Sequence, residues 1–278
     1  NLAQITKKKG YTTYSEYWSP KLSQKITKNK KADLIYSANT LSHIKNFNEI
    51  FKSINNALSE KGVLIIEDPS LLKCLQNLAY DQFYCEHIYV FSTLALREVL
   101  KSFKLEIFDV ENTKTHGGSN RYYIKKNTNS LYKINNRVNA EIKKELQFGL
   151  NKFSTYQKFA KNVKISKSKL LKIFSSLNKK KLRIIGYGAT AKSCTVLNYC
   201  GLGKSDIKYF YDTTSYKVNK YLPGSKILIK KYKKLDNKEI DVAFLGAWNF
   251  KKEIFKKEKK FIEGGGKFIT HVPNPSII

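Results

Sequence analysis

"LRIIGYGATAKSCTVLNYCGL", residues 182–202, is the stretch on which the fold turns. It opens on an apolar run that reads as a buried strand, passes a glycine loop and continues as a helix. Gly186, Gly188 and Ala191 match G-x-G-x-x-A in that strand-loop-helix context. Backbone amides at such a helix start can hold a phosphate. Lys192, at the end of the loop, can reach a diphosphate. Asp212 ends the next strand, where a ribose-binding acid often sits. A tight turn without a ligand satisfies the same spacing, and the motif does not say which nucleotide binds.

Reading outward, "IKYFYD", "KILI", "DVAFLG" and "GKFITHV" read as further strands, with "FKKEIFKKEKKFIEGG" as a helix between the last two. Upstream, Leu131 to Lys180 is helical and strongly charged, and marks the boundary between two α/β units. Before it, Asp33 to Ser37 reads as a buried strand that breaks at Asn39. Phe47, Ile50, Phe51, Ile54 and Leu58 fall on one helical face, with Gly62 as its stop. "VLIIEDPS" is a second strand, ended by Pro69. "LLKCLQNLAYDQF" has helical spacing, and "STLALREVLKSF" is a helix with Ser92 as candidate N-cap. "KLEIFDVENT" and "RYYIKK" form two more strands around the turn "KTHGGSN". Strands alternating with helices imply an open α/β sheet covered on both faces.

Composition bounds the function. With 278 residues the chain is long enough for two cores. Hydrophobic residues at 41% and aromatics at 13% mark a globular chain rather than a disordered one. No apolar run reaches the length of a membrane span, and no secretory signal opens the sequence. The net charge of +30 comes mostly from lysines spread along the chain without a nucleic-acid motif. It therefore reads as compositional drift, although such a field attracts anionic small molecules. Cys74, Cys85, Cys194 and Cys200 form no C-x-x-C pair, so no zinc site is expected here, and reduced thiols in a cytoplasm are. No methionine occurs. Asn1 is not the small residue that removal of an initiator requires, so the reading frame is expected to start upstream.

Three further groups can carry chemistry. Asn39 and His43 in "SANTLSHI" follow a strand end directly, where open α/β sheets bind ligands. Taken alone, the stretch reads as a helix cap at Asn39 and a surface histidine at His43. "AYDQFYCEHIYVFS", residues 79–92, sets Tyr84 and Glu86 beside His87. Histidine suits proton transfer near neutral pH. A carboxylate can raise its basicity, and a tyrosine can donate to an oxyanion. An aromatic cluster with an incidental ion pair is the alternative. In "THGGSNRYY", His116 and Arg121 flank two glycines. Arg121 can hold phosphate oxygens in bidentate fashion, or the glycines simply make a hairpin turn.

Taken in order, "SANTLSHI", "YDQFYCEHIYVFS", "THGGSNRYY", "GYGATAKSCTVLNYCGL", "YDTTSYKVNKYLPGSKILI" and "AWNFKKEI" resemble the three-domain S-adenosylmethionine-dependent C-methyltransferases that act on nucleotide-linked deoxysugars. The resemblance runs from near Asn1 to near Ile278. It implies an incomplete Rossmann-like methyltransferase domain over residues 1–130. A helical segment and a second Rossmann-like α/β domain then occupy residues 131–278. The family's zinc-binding N-terminal domain, and the glycine-rich strand-loop that holds much of S-adenosylmethionine, are expected upstream of Asn1, with no metal in the present chain. The resemblance further implies that Asn39, His43, Tyr84, Glu86 and His87 line the active site, with His87 as general base. Arg121, Lys192, Tyr187, Gly186 and Gly188 are the expected contacts to a nucleotide-diphosphate sugar. Neither nucleic acid nor membrane is an expected partner. A nicotinamide-dependent oxidoreductase using "GYGATAK" and Asp212 is the alternative enzyme reading.

Overall fold

Main-chain pairing gathers the apolar runs into two separate sheets. The computed structural model describes residues 2–278. Helices α1 (Leu2–Lys8) and α2 (Pro20–Ile26) precede strand β1 (Ala32–Ala38). Then come α3 (Phe47–Ala57), β2 (Leu58–Pro69), α4 (Leu71–Gln76), α5 (Thr93–Lys101), β3 (Leu105–Thr113) and β4 (Ser119–Lys126). Helices α6 (Asn136–Phe148) and α7 (Phe153–Lys179) lead to β5 (Ile184–Tyr187), α8 (Ala191–Cys200) and β6 (Phe210–Asp212). The order continues with β7 (Ile229–Lys231), β8 (Val242–Leu245), α9 (Lys251–Lys257), α10 (Lys259–Glu263), β9 (Lys267–Thr270) and β10 (Ser276–Ile277).

The chain forms two compact units and passes between them several times. One holds the described residues up to Asp68, with Thr93–Asn112 and Asn120–Lys143. The other holds Pro69–Ser92, Thr113–Ser119 and Lys144–Ile278. The segment that carries His87 therefore belongs with the C-terminal sheet.

The first unit is built on a four-stranded sheet in the order β1-β2-β4-β3, with β1 and β2 parallel. Helix α3 starts where the Asn46 side chain accepts a hydrogen bond from the Glu49 amide, which satisfies one orphan donor of the first turn. Its apolar face buries Ile50, Phe51 and Ile54. It ends at Ala57, earlier than the expected stop at Gly62, because β2 begins at once with Leu58. Ala32 pairs with Leu58 but Leu34 with Val63. The extra residues of β2 bulge there, and Gly62 passes so close that a Cβ would stand 2.7 Å from the Ala32 carbonyl oxygen.

The second unit carries a six-stranded sheet in the order β10-β9-β8-β5-β6-β7, parallel except for β10. From β5 the chain runs to β6 and β7, then crosses to β8 and β9, so the order reverses between β5 and β8. Alternate strand residues go to opposite faces. Ile184, Phe210, Phe244 and Ile269 pack with Leu170 and Phe174 of α7 and Val196 of α8. Ile185, Tyr211, Ala243 and Phe268 pack with Ile254 and Phe261 on the other face. Both faces are buried, as a parallel sheet requires.

Other expected elements differ: β1, expected to be buried, is a sheet edge with Leu34 and Tyr36 exposed, and the helical spacing over 71–83 gives a helix only as far as Gln76. The strand expected at "KILI" starts at Ile229, because Lys226 takes a positive φ of 54° and turns the chain first. The helix expected through residues 250–265 breaks at Glu258, whose carboxylate turns inward. It accepts from the Tyr187 and Tyr232 hydroxyls at 3.0 and 2.7 Å and from the Leu235 amide at 3.1 Å. Among the described residues, no helix is long and apolar enough to cross a membrane.

Gly186 lies in the middle of β5 against the Phe210 ring, where a Cβ would come within 2.3 Å of ring carbons. Its small size serves the packing of β5 on β6. Gly186→Ala is expected to destabilise the protein by ~1–3 kcal/mol through overpacking. Thermal and urea denaturation measure this, and an unshifted transition would show that the strand pair has room to spare.

Candidate functional site

Local chain geometry sets the imidazole of His87. Helix α4 is short, capped by the Ser70 hydroxyl on the Lys73 amide. Leu78 then takes a positive φ of 50°, and a single 3-10 turn, Tyr80–Gln82, follows. The chain folds back so that His87 Nδ1 lies 2.7 Å from the Gln82 carbonyl oxygen and Nε2 lies 2.7 Å from the Tyr84 hydroxyl. A carbonyl oxygen only accepts, so Nδ1 carries the proton. In the neutral ring, Nε2 then holds the lone pair and accepts from the Tyr84 O–H. The two rings lie 4.0 Å apart at 31°. Burial pushes the Tyr84 phenol up to about 12, with the charges of Glu86 and Asp81 adding to the rise. Tyr84 is thus a protonated donor at neutral pH. Glu86 is exposed. It acts on Tyr84 through its charge, while the ring's Nδ1 is held by the main chain.

His116 stands beside the same turn in a left-handed conformation, φ 52° and ψ 20°. Its carbonyl accepts from Gln82 Nε2 at 2.5 Å, and its Nδ1 lies 3.4 Å from Lys192 Nζ. Lys192 is only 7% exposed. Burial lowers its pKa against the opposing pull of Asp81 and Cys74. It lies against His116 and Trp248, not out on the loop. Arg121, in the first unit, donates to Glu67 Oε2 through Nε at 2.8 Å, with Nη2 at 2.7 Å from the same oxygen. A phosphate at either cation must compete with these partners.

The glycine loop is occupied by its own acid. Gly188, at φ 86°, lies against Ala247. Asp212 Oδ2 accepts from the Ala189 amide at 2.8 Å, and Oδ1 accepts from the Thr214 amide at 2.8 Å. Lys217 donates to the Ala189 carbonyl and lies 3.7 Å from Asp212. Thr190 and Ser193 close a capping box on α8. These amides, which a dinucleotide's pyrophosphate would need, already have acceptors. A cavity of about 350 Å³ opens beside them, lined by Tyr187, Gly188, Asp212, Lys217, Tyr232 and Lys257 among others.

In the first unit, Asn39 and Asp68 follow the paired residues Ala38 and Glu67 at the carboxyl edge of β1 and β2. Asn39 sits at φ 50° and donates its amide to the Glu67 carbonyl at 2.7 Å. Its Oδ1 is buried without a hydrogen-bond partner, as are Ser42 Oγ and both Asp68 oxygens. His43 follows Ser42 in the 3-10 turn Leu41–His43 and is half-buried. Burial pushes the Asp68 carboxyl up to about 6, opposed by the nearby Ser42 hydroxyl and amide, which lie outside hydrogen-bonding geometry, and helped by the Glu67 charge.

The structure thus brings Tyr84 and His87 together in the second unit, and Asn39 beside Asp68 in the first. Arg121 pairs with Glu67 in the first unit. Gln82, Asp68 and Ser42 were not singled out in the sequence, although Gln82 and Ser42 lie inside the quoted stretches "YDQFYCEHIYVFS" and "SANTLSHI". The visible signal was proximity, Gln82 within the aromatic stretch and Asp68 just before Pro69. No group of three metal-ligating side chains occurs among the described residues.

The elevated Asp68 pKa has a testable consequence. Its folded value, about 6, exceeds the ordinary 3.8, so the folded state binds the proton more tightly. This favours folding fully below about pH 4, and the advantage is lost as pH rises to about 6. Asp68→Asn removes the penalty of the ionised form. It should stabilise the protein by ~3 kcal/mol at about pH 7.5 and hardly at all at about pH 4. Urea denaturation at both pH values measures the difference, and equal effects would rule out an elevated pKa.

Two family models cover most of the chain. The "Methyltransferase domain" model matches residues 3–110, and the "C-methyltransferase C-terminal domain" model matches residues 114–273. The chain is similar to the C-methyltransferase NovU of Streptomyces niveus, 29% identical over 279 aligned residues. That alignment takes in 100% of the present chain and 66% of the relative, so the chain spans about two thirds of that protein's length. A Rossmann-like methyltransferase fold, a second α/β sheet with a closed glycine loop and these matches agree: the chain belongs to the C-methyltransferase family.

Proposed function

We propose that this protein serves S-adenosylmethionine-dependent methylation of carbon, on a nucleotide-linked 4-ketosugar, with His87 as the base. The observation that carries this reading is the bond from His87 Nδ1 to the Gln82 carbonyl. In the neutral ring it leaves the lone pair on Nε2, in a half-buried position and facing the Tyr84 hydroxyl. A ketone acidifies the hydrogen on the neighbouring carbon. His87 Nε2 takes that proton, and the imidazolium keeps its Nδ1 bond to the carbonyl. Tyr84, a protonated phenol, releases Nε2 and donates to the developing enolate oxygen. Glu86 adds negative potential that favours the imidazolium.

S-adenosylmethionine, when bound, supplies an electrophilic methyl group on a sulfonium. It also carries ammonium and hydroxyl donors. The partnerless acceptors of Asn39 and Asp68, at the edge where open α/β sheets bind ligands, fit such donors. We assign these two residues, with His43 beside them, to the donor's side of the reaction. The nucleotide diphosphate is assigned to the cationic side chains of the second unit, Lys192 and Lys217 among them, with Arg121 as a further candidate.

Replacing His87 by Ala in the longer enzyme that contains this chain should lower methyl transfer by about 10²–10⁴-fold and leave the affinity for S-adenosylmethionine unchanged. Tyr84→Phe should lower kcat by a smaller factor. Transfer of a labelled methyl group to a 4-ketosugar nucleotide measures both, and full activity of His87→Ala would remove His87 as the base.

A further inference from the structure

Asp81 is fully buried. One of its oxygens, Oδ2, accepts from Trp248 Nε1 at 2.5 Å and lies 3.0 Å from His271 Nε2. His271 is equally buried, and its Nδ1 has no hydrogen-bond partner. An ionised carboxylate accepts only, so Nε2 carries the His271 proton. Burial alone would raise the Asp81 pKa. The His271 ring, the Trp248 N–H and the Lys192 charge overcome it and hold the group below the ordinary carboxylate value.

The contacts of Asp81 close a ring. Its peptide leads to Gln82, whose Nε2 donates to the His116 carbonyl. The next residue, Gly117, packs on the Trp248 indole so tightly that a Cβ would lie 2.2 Å from Cη2. The Asn77 side chain donates to the Gly117 carbonyl at 3.2 Å. Trp248 then returns to Asp81. Lys192 lies on this ring, 3.4 Å from His116 Nδ1 and 5.8 Å from the Trp248 ring centre. The segments of His116–Gly117, Trp248 and His271 are thereby fixed to one 3-10 turn, and that turn presents the Gln82 carbonyl to His87.

We propose that Asp81, Trp248 and His271 are positioning residues for His87: they hold the 3-10 turn so that the Gln82 carbonyl locks the imidazole in its Nδ1–H form. This rests on His87 being the base, although the orientation of its ring can be measured without any reaction. A turn that pivots swings the carbonyl away from Nδ1. The ring then samples both tautomers and loses its aim, and misplacement by about 1 Å costs on the order of 10²-fold in rate.

Proton–nitrogen correlation spectra of the imidazole rings in the present 278-residue chain test this. Spectra are taken at about pH 8, above the ordinary imidazole pKa. Single His→Gln variants assign His43, His87, His116 and His271. The wild type should show His87 in the Nδ1–H form. Asp81→Asn keeps the shape, removes the charge and should give a mixture of His87 tautomers. Trp248→Phe keeps a ring on Gly117, removes one donor and should move the signal the same way, and it decides the matter if Asp81→Asn does not fold. In the longer enzyme, both variants should lower kcat by about tenfold or more with KM little changed. A folded Trp248→Phe or Asp81→Asn protein with the wild-type His87 spectrum and kcat would overturn the proposal. If His87→Ala retained full activity, the reading of the reaction would fall, while the spectra would still decide whether the ring orients His87.

Discussion

A charged carboxylate in a protein interior is tolerated only when donors replace the water it has lost. Asp81 meets that condition at Oδ2, with an indole N–H and an imidazole N–H from residues about 170 and 190 positions further along the chain, while its Oδ1 is buried without a donor. Neither donor is near it in sequence, so the bonds form only after the C-terminal sheet has assembled around the turn. The orientation of His87 depends on this. Its Nδ1 partner is the carbonyl of the residue next to Asp81, and a main-chain carbonyl points where its turn points. Local and long-range order therefore meet in one dipeptide, Asp81–Gln82.

The glycine loop shows how the same local sequence can serve different electrostatics. In a dinucleotide site the amides after the strand face a phosphate, and the acid of the next strand faces a ribose. Here Asp212 reaches across to the Ala189 amide itself. A carboxylate and a phosphate cannot share one amide, and two anions side by side repel. Lys217 neutralises the acid and ties it to the loop. The strand-loop-helix geometry is kept, with Gly186 making room for Phe210 and Gly188 for Ala247, but the anion is built in. This favours the methyltransferase reading over a nicotinamide one on physical grounds.

Much of the fold was legible because it depends on local pattern. Alternating apolar strands, an amphipathic α3 and a glycine loop between strand and helix all leave periodic or positional traces. What escaped depends on tertiary contacts. The break at Glu258 arises because a carboxylate turns inward to two tyrosine hydroxyls and an amide, and no helical periodicity can report that. The bulge at Gly62 depends on the register of β2 against β1. Of the candidate residues, Tyr84 and His87 in the second unit and Asn39 and His43 in the first were visible in the quoted motifs. Their supports were not. A main-chain carbonyl has no letter in a sequence, and Asp81 looks like any other acid until Trp248 and His271 are placed around it.

Glu67 and Asp68 extend the same reasoning to the first unit. They are adjacent in sequence, both are buried, and successive residues of a strand point to opposite faces. Glu67 faces a guanidinium with two nitrogens within 2.8 Å of one oxygen. Asp68 faces Ser42 and has no cation. The two neighbouring carboxyl groups therefore stand in different surroundings, one paired with a cation and one not. Glu67 secures Arg121 and needs nothing more. Asp68 retains unused acceptor capacity at the edge of the sheet, beside an asparagine oxygen that is also unused. Burying such groups costs stability that packing alone does not return. That cost is met if a donor-rich ligand completes them, which is why this edge, and not the closed glycine loop, is the better place to look for the methyl donor.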